Sequence, residues 1–205
     1  NLHGIKRVKG SSQKAKKPIL INDLKTIINV IDKVKQSENR KLRDRTIILI
    51  GFSGGFRRSE LVNIEYDDVE FVSEGVKIFI KRSKTDQSGE GMLKAIPYFD
   101  NKLFCPVLSL KNWINNLESK SGKIFDISDK TVALIIKKYA SLSGLNPNRY
   151  AGHSLRSGFA TSAAEFGAEE RNIMAMTGHK TTQMVRRYIQ EANLFKNNAL
   201  NKIKI

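Results

Sequence analysis

The amino-acid sequence predicts a mainly α-helical fold that contains one small three-stranded antiparallel β-sheet. Apolar residues recur at helical spacing over 21–35 and again over most of the chain after residue 105. Between these regions, three short segments alternate apolar and polar residues and are separated by turn-forming residues: YDDVEFV (66–72), GVKIFIKRS (75–83) and MLKAIPYF (92–99). The order of the patterns therefore predicts helices before and after a single small sheet.

The helical segments follow one another with short connections. The first begins after Pro18, with Asn22 or Asp23 as its N-cap, and the second, NRKLRDRTIILIGFSGG, ends at a glycine pair. A short helix follows in FRRSELVNI. After the sheet we expect helices in PVLSLKNWINNLES, SDKTVALIIKKYASLSG, HSLRSGFATSAAEFG, AEERNIMAMTG, TTQMVRRYI and ANLFKNNALNKIKI.

The charge balance indicates a polyanionic partner. The chain has 36 Lys and Arg against 20 Asp and Glu, a net charge of +16 and a pI near 10.0. Nucleic acid is the first candidate, although ribosomal and membrane-surface proteins share this balance. Because no apolar run approaches the roughly 20 residues of a membrane span and no secretory signal is present, we expect a cytoplasmic protein without a membrane partner.

The cysteine and histidine content argues against a metal cofactor. Cys105 is the only cysteine, which excludes an internal disulfide, and the three histidines do not form a cluster with zinc spacing. The N-terminal residues 1–17 are basic, with no acidic residue. They are interpreted as a flexible basic linker that contacts a phosphate backbone or, alternatively, as a solubilising tail.

Four segments carry residues that could form one phosphate-binding site. In GGFRRSEL (54–61), a glycine turn opens a short helix, so Arg57 and Arg58 lie near unpaired backbone N–H groups, and Glu60 could hold the Arg57 guanidinium. The alternative is an ordinary surface Arg–Glu pair. In KRSKTDQSGEG (81–91), Lys84 lies at or near the tip of a hairpin, from which its ammonium could reach a bound substrate.

Each of the other two segments contains one histidine. In GHSLRSG (152–158), His153 and Arg156 lie one turn apart near the positive end of a helix dipole, unless they are only a capping histidine and an ordinary helix arginine. In MTGHKTTQMVRRYI (176–189), a glycine that ends one helix displays His179 at a corner. Tyr188 follows nine residues later and, considered alone, is more typical of a core tyrosine than of a nucleophile.

Together these residues suit phosphoryl transfer to a tyrosine without a metal ion. Ionising a tyrosine with a pKa of about 10 at pH 7 costs about 4 kcal/mol. One arginine about 4 Å from the developing charge contributes on the order of 4 kcal/mol at an effective dielectric constant of 20, so two arginines are sufficient.

The order of these motifs resembles the tyrosine recombinase (phage integrase) family from about Pro18 to Tyr188. The resemblance implies that the catalytic residues are Arg57, Lys84, His153, Arg156, His179 and Tyr188, with Glu60 in support and no metal or other cofactor. Arg57 and Arg156 would bind the scissile phosphate, and both histidines would hydrogen-bond it and assist proton movement. Lys84 would protonate the leaving 5′ oxygen, and Tyr188 would form a 3′-phosphotyrosyl bond.

The resemblance also implies a domain organisation and a partner. Residues 1–17 would be an interdomain linker, 18–190 the catalytic domain and 191–205 a C-terminal tail helix that docks on a neighbouring protomer or packs on its own domain. The family's N-terminal core-binding domain would lie outside this chain. The partner would be double-stranded DNA, bound as a tetramer of a protein that is monomeric when free. The alternatives are type IB topoisomerase-like nicking and resealing, or a non-catalytic DNA-binding module.

Overall fold

The predicted order of helices and strands is present in the computed structural model, which describes residues 16–81, 91–196 and 198–203. Three helices precede the sheet: α1 (Ile21–Lys33), α2 (Glu38–Ser53) and α3 (Arg58–Val62). The strands β1 (Val69–Val72), β2 (Gly75–Ile80) and β3 (Met92–Pro97) form an antiparallel sheet in that order. The later helices are α4 (Pro106–Asn115), α5 (Asp129–Leu142), α6 (His153–Glu165), α7 (Glu170–Thr177) and α8 (Thr182–Asn193). The predicted fold class is therefore confirmed.

The predicted N-cap of the first helix is wrong. Helix α1 begins at Ile21, with Leu20 as an N-cap residue that makes no side-chain capping bond. Asp23 lies inside the first turn, where its carboxylate accepts hydrogen bonds from Lys17 Nζ at 3.1 Å and from the Tyr150 hydroxyl at 3.0 Å. The Asp23 carboxylate is therefore used in a tertiary contact with Tyr150 and an ion pair with Lys17, in place of the local cap that the sequence predicted.

The predicted helix over the last 14 residues does not form as one element. Helix α8 continues to Asn193, and a short 3₁₀ turn over Ala199–Lys202 follows. The Asn198 side chain accepts a hydrogen bond from the Leu200 N–H, and the Asn201 amide donates to the Phe195 carbonyl. Such bonds between asparagine side chains and the backbone compete with a continuous helix.

Two hydrophobic cores meet at helix α6. The larger core joins α1, α2, α4 and α5 to the inner face of the sheet, and Leu155 of α6 belongs to it. The smaller core consists of Ala160 and Ala164 of α6, Ile173 of α7 and Val185 of α8. The first turns of α6 therefore lie where the two cores join, which gives any side chain there a fixed position relative to both.

The segment before α1 is fixed against the beginning of α6. The backbone N–H of Ile19 donates to the Ser154 carbonyl at 2.9 Å, and that of Lys17 donates to the Arg149 carbonyl at 2.7 Å. Gly158 permits this approach, because a Cβ atom there would lie 2.0 Å from the Ile19 carbonyl oxygen. The end of the basic N-terminal segment thus passes beside His153. None of the helices in the described ranges is long and apolar enough to cross a membrane.

Candidate active site

The glycine turn after α2 positions Arg57 and its carboxylate partner. Gly55 adopts a φ of 56°, a conformation that favours glycine, and the chain then turns into α3 with Arg57 as the N-cap residue. Glu60 accepts one hydrogen bond from the Arg57 backbone N–H at 2.9 Å and another from its guanidinium at 2.5 Å. The side chain of Glu60 is buried, so the pair is not the ordinary surface pair that the sequence left open.

Arg58 has a different environment from Arg57. Its guanidinium lies 3.7 Å from the Asp129 carboxylate of α5. Its side chain also covers Gly152, where a Cβ atom would lie 1.7 Å from the Arg58 Cδ atom. Arg58 therefore links α3 to α5 and to the start of α6, whereas the Arg57 guanidinium is held by Glu60.

Arg156 is a buried arginine with one unused donor. It is 4% exposed, and its Nη1 donates to the Gly55 carbonyl at 2.9 Å. Its Nη2 is buried and has no hydrogen-bond partner among the described residues. Burial, followed by the charge of Arg57, lowers the pKa of Arg156 from 12.5 to about 10. A buried guanidinium with an unpaired donor is suited to an anion, which would satisfy the donor and offset the charge.

Both histidines of the site have lowered pKa values. His153 is the first residue of α6, and His179 follows Gly178, whose φ of 63° ends α7. Burial lowers the pKa of both rings, that of His179 to about 4. The charges of Arg58, Arg156 and Arg57 lower the pKa of His153 further, and those of Arg156 and Arg57 lower that of His179. The positive charges of Arg57 and Arg156 thus act on both rings and favour the neutral form of each.

Hydrogen bonds around Thr177 determine the tautomer of His179. Thr177 Oγ1 lies 2.6 Å from the Ile173 carbonyl oxygen and 2.7 Å from His179 Nδ1. A carbonyl only accepts, so the single hydroxyl proton of Thr177 is donated to Ile173. Oγ1 must then accept from His179, which places the ring proton on Nδ1 and leaves Nε2 as an acceptor.

We expect NMR to find His179 neutral and protonated at Nδ1 from pH 8 to pH 5. Its folded-state pKa of about 4 lies below the ordinary 6.5, so the unfolded chain takes up the proton first as the pH falls. The stability that depends on the neutral ring is complete above pH 6.5 and is lost towards pH 4. Long-range ¹⁵N–¹H spectra report the tautomer, and in Thr177→Val the Nδ1 preference should disappear. A protonated ring at pH 6 would contradict the assignment.

Tyr188 joins the two histidines at one cavity. It lies on α8, half-buried against the smaller core, and its ring centre is 5.9 Å from that of His179. The cavity beside it measures about 600 Å³, and its lining residues are Lys16, Lys17, Pro18, Arg149, His153, Ser157, His179, Gln183, Met184, Arg187, Tyr188 and Glu191. Tyr188 is therefore both a packing residue and accessible from the cavity.

The structure brings five of the six candidate catalytic residues together. Arg57, His153, Arg156, His179 and Tyr188 converge, because the arginines act on both histidines and both histidines line the cavity with Tyr188. Lys84 lies outside the described residues. In the described parts of the chain, no group of three or more His, Cys, Asp or Glu is arranged to hold a metal ion.

One lysine beside this group was not found from the sequence. Lys94 of β3 has no exposed surface, and burial lowers the pKa of its ammonium from 10.5 to about 7. The sequence did hold a signal that Lys94 is buried. Residues two apart in a strand share a face, so Lys94 lies on the same face as the apolar Met92 and Ile96. Leu93, Ala95 and Pro97 on the opposite face are also apolar, so the alternation did not show which face points inward.

The fold is that of the tyrosine recombinase catalytic domain. Residues 19–194 match the phage integrase family, and the chain belongs to that family. It is 45% identical to an integrase/recombinase xerD homolog of Selenomonas ruminantium over 98% of this chain and 62% of that protein. It is 29% identical to tyrosine recombinase XerA of Pyrococcus horikoshii over 92% of this chain and 62% of that protein.

Solved structures share the fold at low sequence identity. The XerH site-specific recombinase, in a post-cleavage complex with its palindromic difH substrate, gives a TM-score of 0.71 at 18% identity over 93% of this chain and 56% of that chain. A lambda integrase dimer bound to a COC′ core site gives a TM-score of 0.64 at 17% identity, over 98% of this chain and 55% of that chain. The chain thus spans about three fifths of the length of the relatives it matches.

Proposed function

We propose that this chain is the catalytic domain of a site-specific DNA recombinase that breaks and rejoins strands through a 3′-phosphotyrosyl intermediate. The observation that carries the proposal is the buried Nη2 of Arg156, which has no hydrogen-bond partner among the described residues. The Arg156 charge acts on His153 and His179, which line one cavity with Tyr188. Membership of the phage integrase family and relatives named as tyrosine recombinases support it. We place this activity in the cytoplasm, because its proposed substrate is DNA.

Two arginines bind the scissile phosphate in this proposal. Arg156 Nη2 donates to one non-bridging oxygen, while its Nη1 stays on the Gly55 carbonyl. Glu60 fixes the Arg57 guanidinium, so little side-chain entropy is lost when the phosphate binds. The two cations then offset the negative charge that grows on the phosphorus centre during attack.

The histidines move protons around that phosphate. His179 presents a lone pair at Nε2 and lies next to the Tyr188 ring, so it can accept the hydroxyl proton as the tyrosine oxygen attacks phosphorus. The bound phosphate anion raises the low pKa of this ring by opposing the arginine charges. His153 hydrogen-bonds the phosphate from the beginning of α6, and Lys84 protonates the leaving 5′ oxygen.

The reaction needs no nucleotide and no metal ion, because one bond to phosphorus forms as another breaks. The Tyr188 oxygen forms a bond to phosphorus, and the bond from phosphorus to the 5′ oxygen breaks. The free 5′ hydroxyl of a partner strand reverses the step, so the covalent link conserves the energy of the phosphodiester. The non-catalytic alternative is less well supported, because Arg57, the buried Arg156 and the cavity-lining Tyr188 are all present. The topoisomerase alternative is less well supported, because the relatives are named as recombinases.

The partner and the assembly follow from charge and exposed surface. A net charge of +16 suits double-stranded DNA. After α8, the apolar side chains of Leu194, Phe195, Leu200 and Ile203 are exposed. We propose that this tail packs on a neighbouring protomer when four copies assemble on DNA, and that the free protein is a monomer. Residues 1–17 act as the linker to a core-binding domain outside this chain.

The test is to trap the covalent product and map the attached residue. The protein is incubated in EDTA with a duplex whose scissile phosphate carries a 5′-bridging phosphorothiolate, which prevents rejoining. We expect a covalent band on a denaturing gel, and peptide mapping should locate the DNA on Tyr188. The same chain fused to the part of the Selenomonas relative that it does not match serves as the second sample. No band from either sample, a strict Mg²⁺ requirement or attachment elsewhere would contradict the proposal.

A further inference from the structure

The side chain of Lys94 is fully buried in the interior of the protein. It lies in the middle of β3, opposite Ile78 of β2. In the part of the chain that the structure describes, no acidic side chain lies within ion-pair distance of its Nζ. An isolated buried charge is costly, and replacing it with an apolar residue of similar volume is often neutral or stabilising. Fold stability therefore does not by itself explain a lysine at this position.

The contacts of Lys94 connect the two loops that carry site residues. Its Nζ donates to the Gly54 carbonyl at 2.7 Å, three residues before Arg57. It also donates to the carbonyl of Met176, three residues before His179. The same Nζ lies 4.7 Å from the centre of the Phe56 ring. One side chain of the sheet thus holds the turn after α2 and the end of α7.

Arg156 also binds the glycine turn after α2. It binds the Gly55 carbonyl, so two consecutive carbonyls of the glycine turn are held by cations from β3 and α6. Thr177, next to Met176, fixes the His179 ring. Removing the Lys94 contact would therefore free the Arg57 loop and the His179 turn to move relative to each other.

We propose that Lys94 is a positioning residue for strand cleavage: it holds the loop of Arg57 and the turn of His179 in the relative position that both need to act on one phosphate. This role rests on the proposed function. Lys94 does not touch the phosphate in this proposal, and it acts only through the two loops. A displacement of about 1 Å between groups that act together can cost on the order of 100-fold in rate.

Charged groups surround Lys94 from several elements. Glu60 of α3 raises its pKa, and Arg156 of α6 and Arg57 lower it, although burial is the largest effect. Lys94 in turn lowers the pKa of His179, together with burial and the two arginines. The His179 ring is therefore a reporter of the Lys94 contact that does not require DNA cleavage.

The test compares Lys94→Met with Lys94→Arg and with the control Lys77→Met. Methionine fills the site without a charge or donors, and arginine supplies donors for both carbonyls. Lys77 is a partly exposed lysine of the same sheet, paired with Glu70. For each variant we would measure the melting temperature, the DNA dissociation constant, the single-turnover rate of covalent complex formation and the His179 NMR titration.

We expect Lys94→Met to melt within a few degrees of the wild type and to bind DNA within about 3-fold, while cleavage slows by about 100-fold. The His179 pKa should rise, Lys94→Arg should recover at least a tenth of the wild-type rate, and Lys77→Met should match the wild type. An unchanged cleavage rate in Lys94→Met would overturn the role. So would a parallel loss of binding, cleavage and melting temperature with no change at His179. Inactivity of the wild type both alone and in the fused sample would contradict the proposed function instead, and the His179 titration still tests the contact.

Discussion

Replacing Tyr188 with phenylalanine is expected to abolish the covalent protein–DNA complex and to leave DNA binding within about 2-fold of the wild type. The hydroxyl is the only group removed, and in the proposed mechanism its oxygen forms the bond to phosphorus. The ring keeps its packing against Ala160, Ala164, Ile173 and Val185, so the fold should be retained. A gel-shift assay and a denaturing gel of the trapped reaction measure the two quantities separately.

The control for this substitution is Tyr98→Phe. Tyr98 is 38% exposed, and it follows β3 outside the group of site residues. Its variant should form the covalent complex at the wild-type rate. A covalent complex that persists in Tyr188→Phe would mean that another side chain is the nucleophile, and the assignment of Tyr188 would then be wrong.

Replacing Arg156 with methionine should reduce the rate of strand cleavage by about 1,000-fold. Removing one preorganised donor from a developing charge typically costs 10²–10³-fold, and a buried guanidinium with an unpaired Nη2 is at the upper end of that range. The variant should be as stable as the wild type or more stable. The substitution replaces a buried guanidinium, whose hydrogen bonds are incomplete, with an apolar side chain. Thermal melting and single-turnover cleavage, measured together, distinguish this result from simple unfolding.

Sulfate binding tests the proposed anion site at Arg156 in the absence of DNA. We expect sulfate to raise the melting temperature of the wild type and of the control Arg58→Met more than that of Arg156→Met. Arg58 is paired with Asp129 and covers Gly152, so its loss removes a cation near His153 but leaves Arg156 and its donors in place. An equal effect of sulfate on all three proteins would argue against an anion site at Arg156.

Local sequence patterns were sufficient for much of the fold and for part of the site. Alternation located the three strands, and glycines marked the turns that display Arg57 and His179. The contact between Arg57 and Glu60 spans only three residues at the start of α3, so the local geometry of a capping box is enough to predict it. The predicted cap of α1 was wrong, because Asp23 instead binds the distant Tyr150 hydroxyl. The predicted tail helix was wrong, because the Asn198 side chain binds the nearby backbone.

The sequence by itself determined the fold class, the basic character and the residue types available for chemistry, since these depend on periodicity and composition. The tertiary structure alone decided that Arg156 is buried with an unpaired donor, that Thr177 fixes the His179 tautomer and that Lys94 joins two loops. Each of the contacts of Arg156 and Lys94 joins residues that are tens of positions apart. No local pattern encodes such contacts, because their geometry exists only once the helices and the sheet have packed around a common core.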